Sequence, residues 1–192
     1  MIPSDLISPP LVEPLALSDV KTWLRIDDTV DDVLIAGLIT SARLAVEVST
    51  GLLLITQNWR CYLDQWPTNG RLVLPYRPIQ SLTAVAMRDG SGALKAVALD
   101  PFRIEPGREP SALLIAGALP MPSGLRNSIL IDVSFGFGAD GTSVPAPLLV
   151  AMRQMITFWY ENRGDDGAQG SNAWPSTISA LLHPYHRVRI GA

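Results

Sequence analysis

The hydrophobic period of this chain changes twice, and that change constrains the fold more than any other feature. In residues 33–51, VLIAGLITSARLAVEVSTG, the residues Leu34, Ile35, Leu38, Ala42, Ala45 and Val46 recur at i, i+3/i+4, the spacing of one helix face. In residues 55–66, ITQNWRCYLDQW, the period drops to two. Ile55, Gln57, Trp59, Cys61 and Leu63 alternate with Thr56, Asn58, Arg60, Tyr62 and Asp64, as in a strand. Helical spacing returns at Leu148, Met152, Met155, Ile156 and Trp159, behind a Pro147 suited to a first turn. A chain read this way is α+β.

The remaining segments fill in this outline. Residues 1–16 carry Pro3, Pro9, Pro10 and Pro14, which predict an extended arm, either without fixed structure or lying along a neighbouring subunit. LSDVKTWLRI predicts a short helix over about residues 18–25, with Ser18 as N-cap. Gly51 suits the position after a helix C-cap. Strands are expected in RLVL (71–74), IQSLTAVAMR (79–88), ALKAVAL (93–99), FRIE (102–105), ALLI (112–115) and NSILIDVSF (127–135), with a hairpin turn at DGSG (89–92). A last short helix follows Pro175, and Pro184 ends it. Neither helical pair can bury its own apolar face. The expected arrangement is therefore a small helical bundle from residues 17–51 and 145–184, with an inserted, mostly antiparallel β region over 52–140. An extended arm (1–16) and a basic tail (185–192) flank it.

Composition narrows the function classes. Charged residues are 17% and hydrophobic ones 47% of the 192, so polar surface is scarce and cover by other subunits is expected. A net charge of −3 without a basic stripe argues against tight phosphate-backbone binding. The single cysteine, Cys61, excludes an internal disulfide and zinc sites built on Cys pairs; it fits a reducing cytoplasm. The first residues lack the basic and apolar regions of a signal peptide, and the apolar runs look too short for a membrane span.

Candidate chemistry is sparse. Asp27, Asp28, Asp31 and Asp32 cluster in LRIDDTVDDVLIAGLI, but without the alternating ligands, central Gly and terminal Glu of a calcium loop. Their expected work is helix capping by Asp28 or Thr29, with Asp31 and Asp32 in the first turn, where the helix dipole favours negative charge. His183 and His186 are separated by Pro184, which spoils helical zinc spacing, and no nucleophile elbow accompanies them. Cys61, inside a strand pattern, reads as a small core residue. GFGADG (136–141) is followed by no Lys-Ser/Thr pair and reads as a turn rather than a phosphate loop. No catalytic, cofactor-binding or metal constellation is expected. In FWYENR (158–163), Trp159 continues the apolar face, while Phe158, Tyr160 and Arg163 are candidates for a subunit interface.

Two long stretches carry a family resemblance. LSDVKTWLRIDDTVDDVLIAGLITSARLAVEVSTGLLLITQNWRCYLDQWP resembles the N-terminal half of the phage head–tail connector (adaptor) proteins, found also in prophages and gene transfer agents. ILIDVSFGFGADGTSVPAPLLVAMRQMITFWYENR resembles that family's second signature: a strand ending in a Phe-x-Gly-x-Gly turn, a Val-Pro opening a helix, and a closing Trp-Tyr-Glu-Asn-Arg. The resemblance implies a virion structural protein with a helical-bundle core, made in the host bacterial cytoplasm, and not an enzyme. It implies a ring, commonly a dodecamer, between portal protein and stopper or tail, with DNA passing through the lumen without sequence-specific binding, and no membrane contact.

On that reading Asp27, Asp28, Asp31 and Asp32 are lumen candidates, and Tyr185, His186, Arg187, Val188, Arg189 and Ile190 are candidates for docking on the portal. A stopper or tail-completion ring protein is the structural alternative. A small β-rich hydrolase or a carbohydrate-binding module is the alternative from another class.

Overall fold

The computed structural model describes residues 2–107, 109, 111–162 and 175–186. The chain is α+β and divides into two compact units: residues 1–11 with 56–137, and residues 12–55 with 138–192.

The first unit is β. Among the described residues it holds a five-stranded sheet in the order β1-β2-β8-β4-β5 and a three-stranded sheet in the order β3-β7-β6. The strands are β1 (Ser4–Ser8), β2 (Gln57–Leu63), β3 (Arg71–Val73), β4 (Ile79–Arg88), β5 (Leu94–Ala96), β6 (Phe102–Ile104), β7 (Ala112–Ile115) and β8 (Ile129–Phe135). Every pairing between them is antiparallel. β8 lies centrally between β2 and β4, and six of its seven residues are buried. The exception, Asp132, is held across the strand pair by Arg60 in a two-pronged ion pair of 2.7 and 2.8 Å. Cys61 is fully buried, and burial pushes its thiol up to about 12, so it is a packing residue. The DGSG turn closes the β4–β5 hairpin: Asp89 accepts from the Ser91 and Ala93 N–H groups, and Gly92 takes φ +86.

The proline-rich arm is the main departure from the sequence reading. Ser4–Ser8 is not a free arm but the edge strand of this sheet, paired with β2 from Ser4 opposite Cys61 to Ser8 opposite Asn58. The prolines flank the strand at positions 3, 9 and 10, outside its ladder, which carries one register shift between Leu6 and Ser8. Without it, the outer edge of β2 would be open.

The second unit is helical: α1 (Leu17–Leu24), α2 (Asp32–Thr50), α3 (Ala146–Glu161) and α4 (Ser176–Leu182). Its core comprises Val20, Ile35, Ile39, Ala42, Val46, Leu148, Ala151, Met152, Met155, Ile156, Ile178 and Leu182, with Leu52 to Ile55 following α2. α2 is rich in Ile, Val and Thr, which are mediocre helix formers. Burying one such apolar side chain contributes about 1.5–3 kcal/mol, so packing rather than propensity holds the helix.

Several local expectations change. α1 starts one residue before Ser18. Its N-cap is Ala16, whose carbonyl accepts from the Asp19 and Val20 N–H groups. The inner face of α2 is Ile35, Ile39, Ala42, Arg43, Val46, Glu47 and Thr50, rotated from the expected one; Leu34 is exposed, and Leu38 and Ala45 are half-buried. Trp159 is half-buried rather than core. α2 is, by length and composition alone, apolar enough to cross a membrane, contrary to the expectation from short apolar runs.

Candidate functional site

The acidic cluster lies between α1 and α2, and its members are separated by different tasks. The Asp28 carboxylate accepts from the Val30 N–H at 3.1 Å and shapes the turn before the helix. Asp31 is the N-cap by position, but its carboxylate takes the hydroxyl of Tyr160 instead of a backbone N–H. Asp32, in the first turn, meets the Lys21 ammonium at 2.6 Å. Asp27 is exposed. Neither Asp28 nor Thr29 caps α2, because the chain between Arg25 and Asp31 spends two further residues in a turn; Arg25 itself closes α1 in the left-handed region at φ 58. Among the described residues, no three His, Cys, Asp or Glu side chains gather as a metal site would require.

A second polar group was not legible in the sequence. Arg43, on the inner face of α2, donates from Nε to Glu13 at 2.8 Å and from a terminal nitrogen to Glu47 at 3.0 Å. Glu13 also accepts from the Thr40 hydroxyl, and Glu47 accepts from the Leu54 N–H at 3.0 Å. Arg43 and Glu47 are each only 7% exposed. Burial disfavours the charged guanidinium, but Glu13 and Glu47 outweigh it and raise the Arg43 pKa. Burial pushes the Glu47 carboxyl up, against the opposing Leu54 N–H and Arg43. The network ties the segment before α1 and the segment after α2 to the middle of α2. Only an i, i+4 Arg–Glu spacing hinted at it.

The aromatic segment at the end of α3 splits in the same way. Tyr160 is engaged with Asp31, while Phe158 is exposed at 40%. Trp23 of α1 donates to the Thr157 hydroxyl at 3.0 Å and carries the Arg153 guanidinium 5.9 Å above its ring. Arg163 lies outside the described residues, as do Arg187, Val188, Arg189 and Ile190. Tyr185 is buried in a 3-10 turn (His183–Tyr185), and the His186 Nδ1 lies 2.9 Å from the Ser49 carbonyl at the end of α2. These two tail candidates therefore belong to the helical unit.

The glycines of GFGADG have a steric role. A Cβ on Gly141 would stand 2.0 Å from the Pro14 carbonyl oxygen, and one on Gly138 would stand 2.3 Å from the Ser143 hydroxyl. Asp140 caps the short turn by accepting from the Thr142 N–H at 2.9 Å.

This unit carries an open groove of about 700 Å³. Among the charged groups lining it, Glu13 is held by Arg43, Asp140 by Thr142, and Arg153 stacks on Trp23. Packing surface and structural charge pairs are what the described residues of this unit present.

Comparison with known proteins supplies the class. Residues 15–89 match the family described as phage gp6-like head–tail connector protein. No curated protein matches the chain. Among solved structures, a chain of the virion of a native gene transfer agent particle matches with TM-score 0.79 and 25% identity, over 97% of this chain and 96% of that one. A chain from the neck of an empty gene transfer agent particle, computed with C6 symmetry, gives 0.80 and 26%, over 97% of both. One from the native neck, computed with C12 symmetry, gives 0.75 and 27%, over 97% of both. The resemblance read in the sequence is therefore borne out: the chain is similar to phage head–tail connector proteins over residues 15–89 and to chains of gene transfer agent necks over nearly its whole length.

Proposed function

We propose that this chain is a head–tail adaptor, a structural subunit of the virion that works by geometry and catalyses nothing. Copies form a ring, a dodecamer, between the portal and the stopper or tail, and DNA passes through the lumen. The observation that carries this reading is the likeness, over 97% of both chains, to a chain from a native gene transfer agent neck computed with C12 symmetry.

The chain's physical character supports the assignment. Low charge and exposed apolar helix surface suit subunits that bury against copies of themselves in heterologous, ring-closing contacts. A net charge of −3 suits a passage that DNA slides through, since it releases no condensed counterions from the phosphates. Asp27 and Asp28, exposed before α2, are the acids free to face such a lumen; Asp31 and Asp32 serve the fold. Because Tyr185 and His186 are held in the helical unit, the portal-docking segment narrows to residues 187–190 with Arg187 and Arg189.

Electron microscopy of particles assembled with this chain tests the proposal. A ring of this protein directly below the portal is expected. A stable monomer absent from the neck, with no affinity for portal, would overturn it.

A further inference from the structure

The outer face of α2 is apolar although the helix carries charges. After Asp32 its charged residues are Arg43 and Glu47, and both point inward, 7% exposed. The outward face therefore carries no charge from Val33 to Val48. Along it run Val33 (88% exposed), Leu34 (37%), Gly37, Ser41, Leu44 (48%) and Val48 (85%). An ordinary surface helix turns its charges to water and its aliphatic side chains in. This one turns its two charges in and keeps aliphatic side chains on both faces, so the side toward water is an apolar stripe, which marks a protein contact.

Gly37 is a second, independent observation. A mid-helix glycine destabilises a helix, yet a Cβ at Gly37 would meet nothing within 4 Å in this chain. The chain's own packing does not need it. A glycine at the centre of an exposed apolar stripe lets another backbone approach closely.

We propose that the outer face of α2, centred on Gly37 and Leu44, is the face on which a second copy of this chain packs in the ring. The inference rests on the ring reading above, in which each adaptor subunit has a copy of itself on either side. A cyclic contact is heterologous, so the opposing face must be a different one. The same unit offers it on α1 and α3, where Trp23 and Phe158 are exposed at 50% and 40% and Trp23 bonds Thr157, next to Phe158.

The test compares wild type, Gly37→Arg and Leu44→Glu/Val48→Glu. It reads ring content in assembled necks by electron microscopy, fold by circular dichroism and thermal melting, and binding to anionic lipid vesicles by flotation. Gly37→Arg is the decisive variant, because its side chain projects into open space and arginine forms helix better than glycine. The expected result is an unchanged or higher melting temperature with loss of at least nine-tenths of the rings; the double variant should behave likewise. Wild-type-sized rings from Gly37→Arg would overturn the proposed face while leaving the adaptor reading intact. The face would be equally overturned by rings that persist but lose a different neck protein or vesicle binding. Absence of wild-type rings from the neck would overturn both readings.

Discussion

Arg43 joins Glu13 and Glu47 in the buried charge network of the helical unit. Removing one partner of a buried charge network leaves the others desolvated and unpaired, at a cost of about 3–5 kcal/mol. Arg43→Ala should lower unfolding free energy in urea by up to that amount, since Glu47 and half-buried Glu13 both lose their guanidinium partner and keep only neutral donors such as the Leu54 N–H and the Thr40 hydroxyl. A loss below about 1 kcal/mol would mean the network carries little. Glu47 adds a pH dependence. Its folded pKa lies above the usual 4.5, so the folded chain holds this proton more tightly than the unfolded one. That contribution is complete below the ordinary Glu range and is lost as pH rises through the folded value. Glu47→Gln cannot ionise, and its stability–pH curve should be flatter there, as measured by urea titration at several pH values. Gly141→Ala should cost about 1–3 kcal/mol, because the new methyl meets the Pro14 carbonyl, which belongs to backbone and cannot swing aside. The glycine itself was visible in the sequence. Its reason was not, since Pro14 is far away in the chain.

At the scale of elements, the period of the hydrophobic pattern located almost every helix and strand. IQSLTAVAMR became β4 over all ten residues, and Leu148, Met152, Met155 and Ile156 became the buried face of α3. One strand escaped, and one helix was turned the wrong way. β1 has the sequence SDLIS, too short and too polar to declare itself, and it is a strand because β2 offers it an edge. The orientation of α2 was misread because both of its sides are apolar; the side that faces in carries the Arg43–Glu47 pair. The β1 pairing gives a direct prediction. Deleting residues 1–11 removes the strand and opens the backbone edge of β2, so the truncated chain should fold less stably and aggregate more readily. Light scattering during a thermal ramp would register this, and unchanged scattering would speak against β1 as an edge guard.

At the scale of the whole molecule, the predictions concern assembly. If residues 187–192 dock on the portal, a chain ending at His186 should keep its melting temperature, because its buried Tyr185 and the His186 contact to Ser49 are retained. It should fail to join heads to tails, scored by co-sedimentation with portal; normal joining would remove the tail from that role. What the sequence determined by itself was the class: the order of helices and strands, and the connector resemblance in two separated stretches. These are legible because period, turn chemistry and motif spacing are properties of neighbours along the chain. Only the tertiary structure decided that the arm is a strand, that the acids of LRIDDTVDDVLIAGLI serve Val30, Tyr160 and Lys21, and that α2 hides its charges and shows its aliphatic face. Each of those depends on a partner distant in sequence, whose approach is set by packing and whose identity no local pattern records.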